Sequence, residues 1–187
     1  AQLPRGVTVS PLAGADRRAR EIIRRHLGTL ADVRTDVVAA LSTLLTQDGV
    51  LIRVDDGVVA DRPIQLVNIL NSTVPLMAMR RVLIVAGARS AVQLLLCDHT
   101  QTTQAPVLSC EVVETIVGPG ASVEFYDLEE SNPATRRLRA FYARQEADSR
   151  LRVVSSTLSC GTTRNTFRID ADRPGADTRL YGMAIAD

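Results

Sequence analysis

The chain has 187 residues, 45% apolar and 23% charged, which is length for one domain that buries roughly 70% of its unfolded surface and excludes a disordered chain. Its 22 basic and 21 acidic residues nearly cancel, leaving a net charge of +1 and no overall field toward nucleic acid or an anionic membrane. Every basic residue is Arg; with no Lys, the chain has neither the phosphate-reaching Lys of a Walker A loop nor an amine for Schiff-base chemistry.

Residues 1–48 are expected to form an N-terminal helical segment. Over Ala15 to Leu27, the residues Ile22, Ile23 and Leu27, with Leu30 beyond, fall near one stripe, and Gly28 can end the helix. A second helix is expected from about Asp36, with Thr35 as N-cap, Val38, Leu41, Leu44 and Leu45 at helical spacing, and Gly49 as the terminal glycine. Residues 1–35 hold seven Arg against Asp16, Glu21 and Asp32, which reads as a solvated helix face.

From 49 to 187 the texture changes to short apolar runs broken by Gly, Pro, Asp and Asn. Strands are expected at 50–54, 64–70, 81–86, 92–97, 109–117, 123–128, 138–145, 151–158, 166–170 and 178–184. No helical pattern separates them, so alternating βαβ folds drop out. Four similar segments enter at Val92, Val123, Leu151 and Leu180, spaced 31, 28 and 29 residues apart. Intervening markers at Leu83, Val112, Phe141 and Phe167 step by 29, 29 and 26. Two strands per ~29 residues is a repeat architecture, either a β-sandwich of hairpins or a parallel β-helix. Near-constant unit length favours stacked coils, which must share a circumference, and the repeating part lacks the Asn-Gly or Asp-Gly of tight hairpins.

The residues offer little catalytic equipment. Only His26 and His99 could serve as a histidine base, and no Gly-x-Ser-x-Gly, His-Glu-x-x-His or Cys-x-x-Cys motif occurs. Cys97 and His99 could point to one side of a strand and offer a metal S and N donors, or Cys97 could be a small buried residue with His99 in a turn. With Cys110 and Cys160, the cysteines are odd in number and unpaired in spacing, which reads as reduced and non-metal, and, with no leader pattern at the N-terminus, as cytoplasmic. Between Glu111 and Glu130 lie six acidic residues and no basic one; Arg136, Arg137, Arg139 and Arg144 follow. These charges could pair between neighbouring coils, form a docking surface, or alternate on the solvent side of the strands.

Several segments resemble the SufB/SufD family of iron–sulfur cluster assembly scaffolds, most nearly its SufD branch. They are LPRGVTVSPL at 3–12, the run from Ala39 to Leu70 with Pro63-Ile64, RRVLIVAGARSAVQLLLCDHTQ at 80–101, SVEFYDLEE at 122–130, and the stretch 163–187. The resemblance implies a right-handed parallel β-helix preceded by helices, a mostly β fold. It also implies a non-catalytic scaffold that works with SufB and the ATPase SufC, without nucleic acid or membrane. The Fe–S cluster would be handled transiently by the full complex, and no catalytic, cofactor or metal residue is assigned to this chain. Family members are longer, so the chain reads as a fragment; the family's interface histidine lies in the later segment, and His99 does not match its motif. An exposed final coil with β-prone TRLYGMA at 178–184 is expected to favour a homodimer through β-helix edges. The alternatives are a polysaccharide-active β-helix enzyme, against which 3% aromatic residues and no Trp argue, and a purely structural β-solenoid.

Overall fold

A computed structural model describes residues 3–101 and 105–185. The chain starts with β1 (Val7–Pro11), α1 (Arg17–His26) and α2 (Val37–Leu45). Ten strands follow: β2 (Gly49–Val54), β3 (Ile64–Leu70), β4 (Leu76–Ala86), β5 (Ala91–Thr100), β6 (Val107–Val117), β7 (Ser122–Glu130), β8 (Thr135–Gln145), β9 (Arg150–Ser159), β10 (Thr162–Asp170) and β11 (Asp177–Ala184). They wind alternately into two sheets, β1-β2-β4-β6-β8-β10 and β3-β5-β7-β9-β11. All pairs are parallel except β1 with β2. The result is a right-handed parallel β-solenoid of about five turns behind short helices, the architecture expected from the repeat. No described helix is long and apolar enough to cross a membrane.

The ten expected strands all form. The addition is β1, inside the segment read as wholly helical; its Val7 and Val9 pack on the solenoid core while the strand pairs with β2. Five residues with two inward valines are too short a pattern to stand out from a loop.

The register corrects the repeat. Val92, Val123 and Leu151 stack as direct neighbours, but Leu151 faces Thr178, and Leu180 sits two positions on, opposite Val153. In the other sheet Phe167 faces Phe141, whereas Leu83 faces Glu114 and Val112 faces Ala140. The true column there is Val50, Val82, Val113, Phe141 and Phe167. Markers slipped because this sheet is buried on both faces, so its strands read as continuous apolar runs without alternation.

The outer face of that sheet is covered by the helices. Ala15 and Ala19 of the α1 region pack with Leu51 and Leu83, and Val38 and Ala39 of α2 pack with Val112, Ala140 and Tyr142. The N-cap of α2 is Asp36 rather than Thr35: its carboxylate accepts from the N–H groups of Val38 and Ala39, and from the Tyr142 hydroxyl at 2.6 Å. The helix ends at Thr46, so Gly49 instead opens β2. Its buried face is Val38, Ala39 and Ser42, while Leu44 is 79% exposed.

One carboxylate fastens the helices to the solenoid. Glu114 of β6 accepts from the backbone N–H of Gly28 (2.8 Å), Leu30 (3.0 Å) and Ala31 (3.2 Å), in the loop between α1 and α2. Gly28, at φ +77°, takes the left-handed turn that aims these groups at one point. Arg81 completes the clasp, with Nη2 2.8 Å from Glu114 and Nη1 donating to Thr43 of α2. Glu114 is fully buried, so Glu114→Ala strands Arg81 and three N–H donors. The expected loss is about 3–5 kcal/mol, read by urea unfolding with far-UV dichroism; a change below about 1 kcal/mol would contradict the clasp.

Candidate functional site

Inside the coils the two sheets share one long interior divided into halves. The apolar half is built from Val82, Ile84, Leu94, Val113, Val123, Leu151 and Val153. A tilted ladder of Phe125, Phe141 and Phe167 crosses it, with ring centroids 5.0 and 6.1 Å apart. The other half is ionic. There Arg80, Arg137 and Arg139 face Asp98, Glu111, Asp127 and Glu129; all seven are buried except Arg80, which is half-buried.

Arg137 is the hub and is 1% exposed. Its Nε donates to Asp98 at 2.9 Å, Nη2 to Asp127 at 2.9 Å, and Nη1 lies 3.3 Å from Glu129. These partners belong to β5 and β7, so one guanidinium ties three successive coils. Arg80 grips Asp98 with both Nη atoms (2.7 and 2.9 Å). Arg139 pairs with Glu111 at 3.3 Å and with Asp127, and lies 5.0 Å over the Phe125 ring, at the seam between the halves. Further lone pairs of Asp98, Asp127 and Glu129 are met by Asn68, Ser131, Ser155, Thr157 and Thr163, whereas Glu111 is held by ion pairs without a hydrogen bond among the described residues.

This fixes what the carboxylates can do. Burial opposes charge on Asp98, but the forked bond from Arg80 and the charge of Arg137 prevail and hold its carboxyl well below the usual range. The facing carboxylates, Glu111 and Asp98 for Arg80 and Asp127, Asp98, Glu111 and Glu129 for Arg137, push both guanidinium groups upward against their burial. The cluster is enclosed and its carboxylates face guanidinium groups, which suits it to holding coils in register, not to trading protons with a substrate. Of the readings open for the acidic run, pairing between coils is the one that forms, and it forms inside the solenoid. Solvent-side alternation is overturned for Glu111, Asp127 and Glu129. Their parity showed it: Val123, Phe125, Asp127 and Glu129 alternate on one face of β7.

The cysteine and histidine candidates lie apart. Cys97 and His99 share the outer side of β5; Cys97 is buried and accepts from Gln65 at 3.4 Å. His99 is in the strand, not a turn, with Nδ1 3.0 Å from Glu130. Cys110 is buried beneath α2 in the other sheet, and Cys160 sits at the β9–β10 turn. Among the described residues no cluster of three or more His, Cys, Asp or Glu is arranged to hold a metal ion. Among the described residues, no helix covers the outer face of the second sheet. It presents Val67, Ile69, Tyr181 and Met183, each about half exposed.

With the coils and their charged interior in view, comparison with protein families is decisive. The SUF system FeS cluster assembly SufBD core domain matches residues 68–187, and the SufBD protein N-terminal region matches residues 1–66. The chain belongs to the SufB/SufD family. The two matches meet within β3, so the core domain takes in four complete coils, β4 to β11. SufB/SufD proteins are non-catalytic scaffolds. No curated protein matches the chain in sequence.

Two outcomes follow from the site. Asp98 titrates lower folded than its unfolded value near 3.9, so its stabilisation is present above about pH 4 and is lost as pH falls through the folded value. Acid unfolding followed by dichroism should therefore steepen below about pH 4, and Asp98→Asn should flatten that limb while lowering stability at neutral pH; an unchanged acid limb would contradict the assignment. For the thiols, burial pushes Cys110 up to about 11 and Cys97 is enclosed, whereas Cys160 is half-buried. Ellman's reagent should label one thiol per chain in the folded state and three in guanidinium, with Cys160→Ser abolishing the first.

Proposed function

We propose that the chain is the SufD-type scaffold subunit of the SUF assembly machinery, a non-catalytic partner of SufB and the ATPase SufC in the cytoplasm. The observation that carries this reading is the SufBD core-domain match, which takes in four complete coils. The residues are in keeping with it. The chain has no Lys for a Walker A loop, so nucleotide chemistry falls to a partner. The interior carboxylates are consumed by Arg80, Arg137 and Arg139, so the cluster is cargo of the complete complex and not a resident group. The polysaccharide-enzyme alternative needs carboxylates open to a sugar chain, and Asp98, Asp127 and Glu129 are enclosed. In the same reading the outermost strands β10 and β11, half exposed at Leu180 and Met183, serve association between chains, with a homodimer as the simplest form.

Co-expression of the chain with SufB and SufC from the same genome, with a tag on SufB, tests this. Elution of all three in one size-exclusion peak is expected, with ATP turnover only when SufC is present. A chain that stays apart from SufB and SufC, or that instead displaces SufB from SufC, overturns the SufD assignment. A chain that forms only homopolymers supports the structural-solenoid alternative.

A further inference from the structure

Helix α1 breaks a local rule of helix chemistry. Its first turn holds Arg17, Arg18 and Arg20 and no acidic residue, although the N-terminal end of a helix carries partial positive charge that favours Asp and Glu. The cap Asp16 accepts from Ala19 at 2.8 Å and offsets only part of this. Two more arginines, Arg24 and Arg25, follow, against a single Glu21. The one pair along the helix, Arg17 with Glu21 at 3.5 Å, has the basic residue first, the weaker order, and its side chains are 95% and 69% exposed. The side chains of Arg24 and Arg25 make no hydrogen bond or ion pair among the described residues. Arg17, Arg18 and Arg20 therefore act against the dipole of their own helix, although Arg20 Nη2 also donates to the Ala15 carbonyl at 2.8 Å; Arg24 and Arg25, in the last turn, suit it. Charges that act against their own element point to an interaction elsewhere.

The geometry makes the stripe a fixed surface. Ala19, Ile22 and Ile23 anchor the opposite side of α1 to the solenoid, and the Glu114 clasp holds the loop that follows. Arg17, Arg20 and Arg24 are spaced i, i+3 and i+7 along the outward face, while Arg18 and Arg25 flank a groove of about 370 Å³ between α1 and β2, lined also by His26 and Arg53 and by the carboxylates of Glu21 and Asp56. The positive charge there is felt locally: partial burial and then the charges of Arg25 and Arg144 lower the His26 pKa. Of the carboxylates nearby, Asp55 pairs with Arg18 and Arg53, Glu146 with Arg144 and Glu21 with Arg17, so Arg20 and Arg24 of the outward stripe have no carboxylate partner among the described residues.

We propose that the outward arginine stripe of α1, with the adjoining groove, is a docking surface for an acidic segment of a partner protein. The guanidinium fork pairs bidentately with carboxylates, and an acidic helix presenting Glu at i, i+3 or i+4 and i+7 matches the spacing. Nucleic acid fits less well, since no Phe, Tyr or Trp lines the stripe or groove to stack a base. A lipid surface fits less well, since the outward face holds no apolar residue to insert. The proposal stands apart from the SUF reading and concerns a face that the coil edges do not use.

The test measures fluorescence anisotropy of a labelled 14-residue peptide with Glu at those spacings. Comparators are a Gln-for-Glu peptide, a 14-nucleotide oligouridylate, and vesicles of 3:1 phosphatidylcholine and phosphatidylglycerol. The protein is the 187-residue chain, compared with R17E/R20E/R24Q and with a control, R152Q/R179Q, altered in an arginine cluster on the other sheet. The expected result is binding of the Glu peptide that weakens at least tenfold in the stripe variant, is unchanged in the control, and fades with salt. The stripe variant gives up the Arg17–Glu21 pair and the Arg20–Ala15 bond, so its fold is checked by dichroism and binding is compared below both melting temperatures. Equal loss in both variants, or tighter binding of the oligonucleotide or the vesicles, would overturn the proposal.

Discussion

A charge enclosed between stacked coils must find its counter-charge on its own or a neighbouring coil, because water cannot reach it, and Arg137 meets that requirement for three carboxylates at once. Asp98, Asp127 and Glu129 come from two coils, and Arg137 rises from a third. Shifting any coil by one residue would turn an inward carboxylate outward and leave the guanidinium buried alone, at a cost of several kcal/mol. A slip of two residues keeps inward side chains inward, and apolar contact on the other side of Phe125 and Phe141 tolerates it far better than the ion pairs do, since one aliphatic side chain packs much like the next. The solenoid thus takes burial energy from one half of its interior and register from the other.

The same economy governs its outside. The sheet bearing β4, β6 and β8 is covered by α1 and α2, and there again a single buried carboxylate, Glu114, fixes the position by gathering N–H groups that helix ends and turns leave unpaired. The other sheet keeps its outer face free. A family of assembly scaffolds needs a rigid body with open surfaces, and this distribution provides one: charges are locked inside, helices clasped on one face, and the opposite face and the arginine stripe of α1 left available.

Strand positions were legible because Gly, Pro and Asp clusters punctuate every coil, and the parallel stack was legible in the near-constant interval between Val92, Val123 and Leu151. Register in the helix-covered sheet was not, since burial on both faces erases the two-residue alternation that would separate Val112 from Val113. The ionic interior was hidden by expectation more than by absence of signal. A charged residue in a strand is ordinarily an outward one, and only the shared parity of Asp127 and Glu129 with Phe125 shows otherwise. The clasp joins residues more than 80 positions apart, Glu114 to Gly28 and Leu30, and no local pattern encodes such a meeting.

The central claim is that the guanidinium of Arg137 and the carboxylates below it act as one coupled unit between coils. A double-mutant cycle of Arg137→Met and Asp127→Asn, read by urea unfolding at pH 7, tests it most directly. The account predicts single changes that each destabilise strongly and a double variant that loses much less than their sum, with a coupling of about 2 kcal/mol or more. Additive losses would contradict it, and would mean that the two side chains stabilise their coils independently.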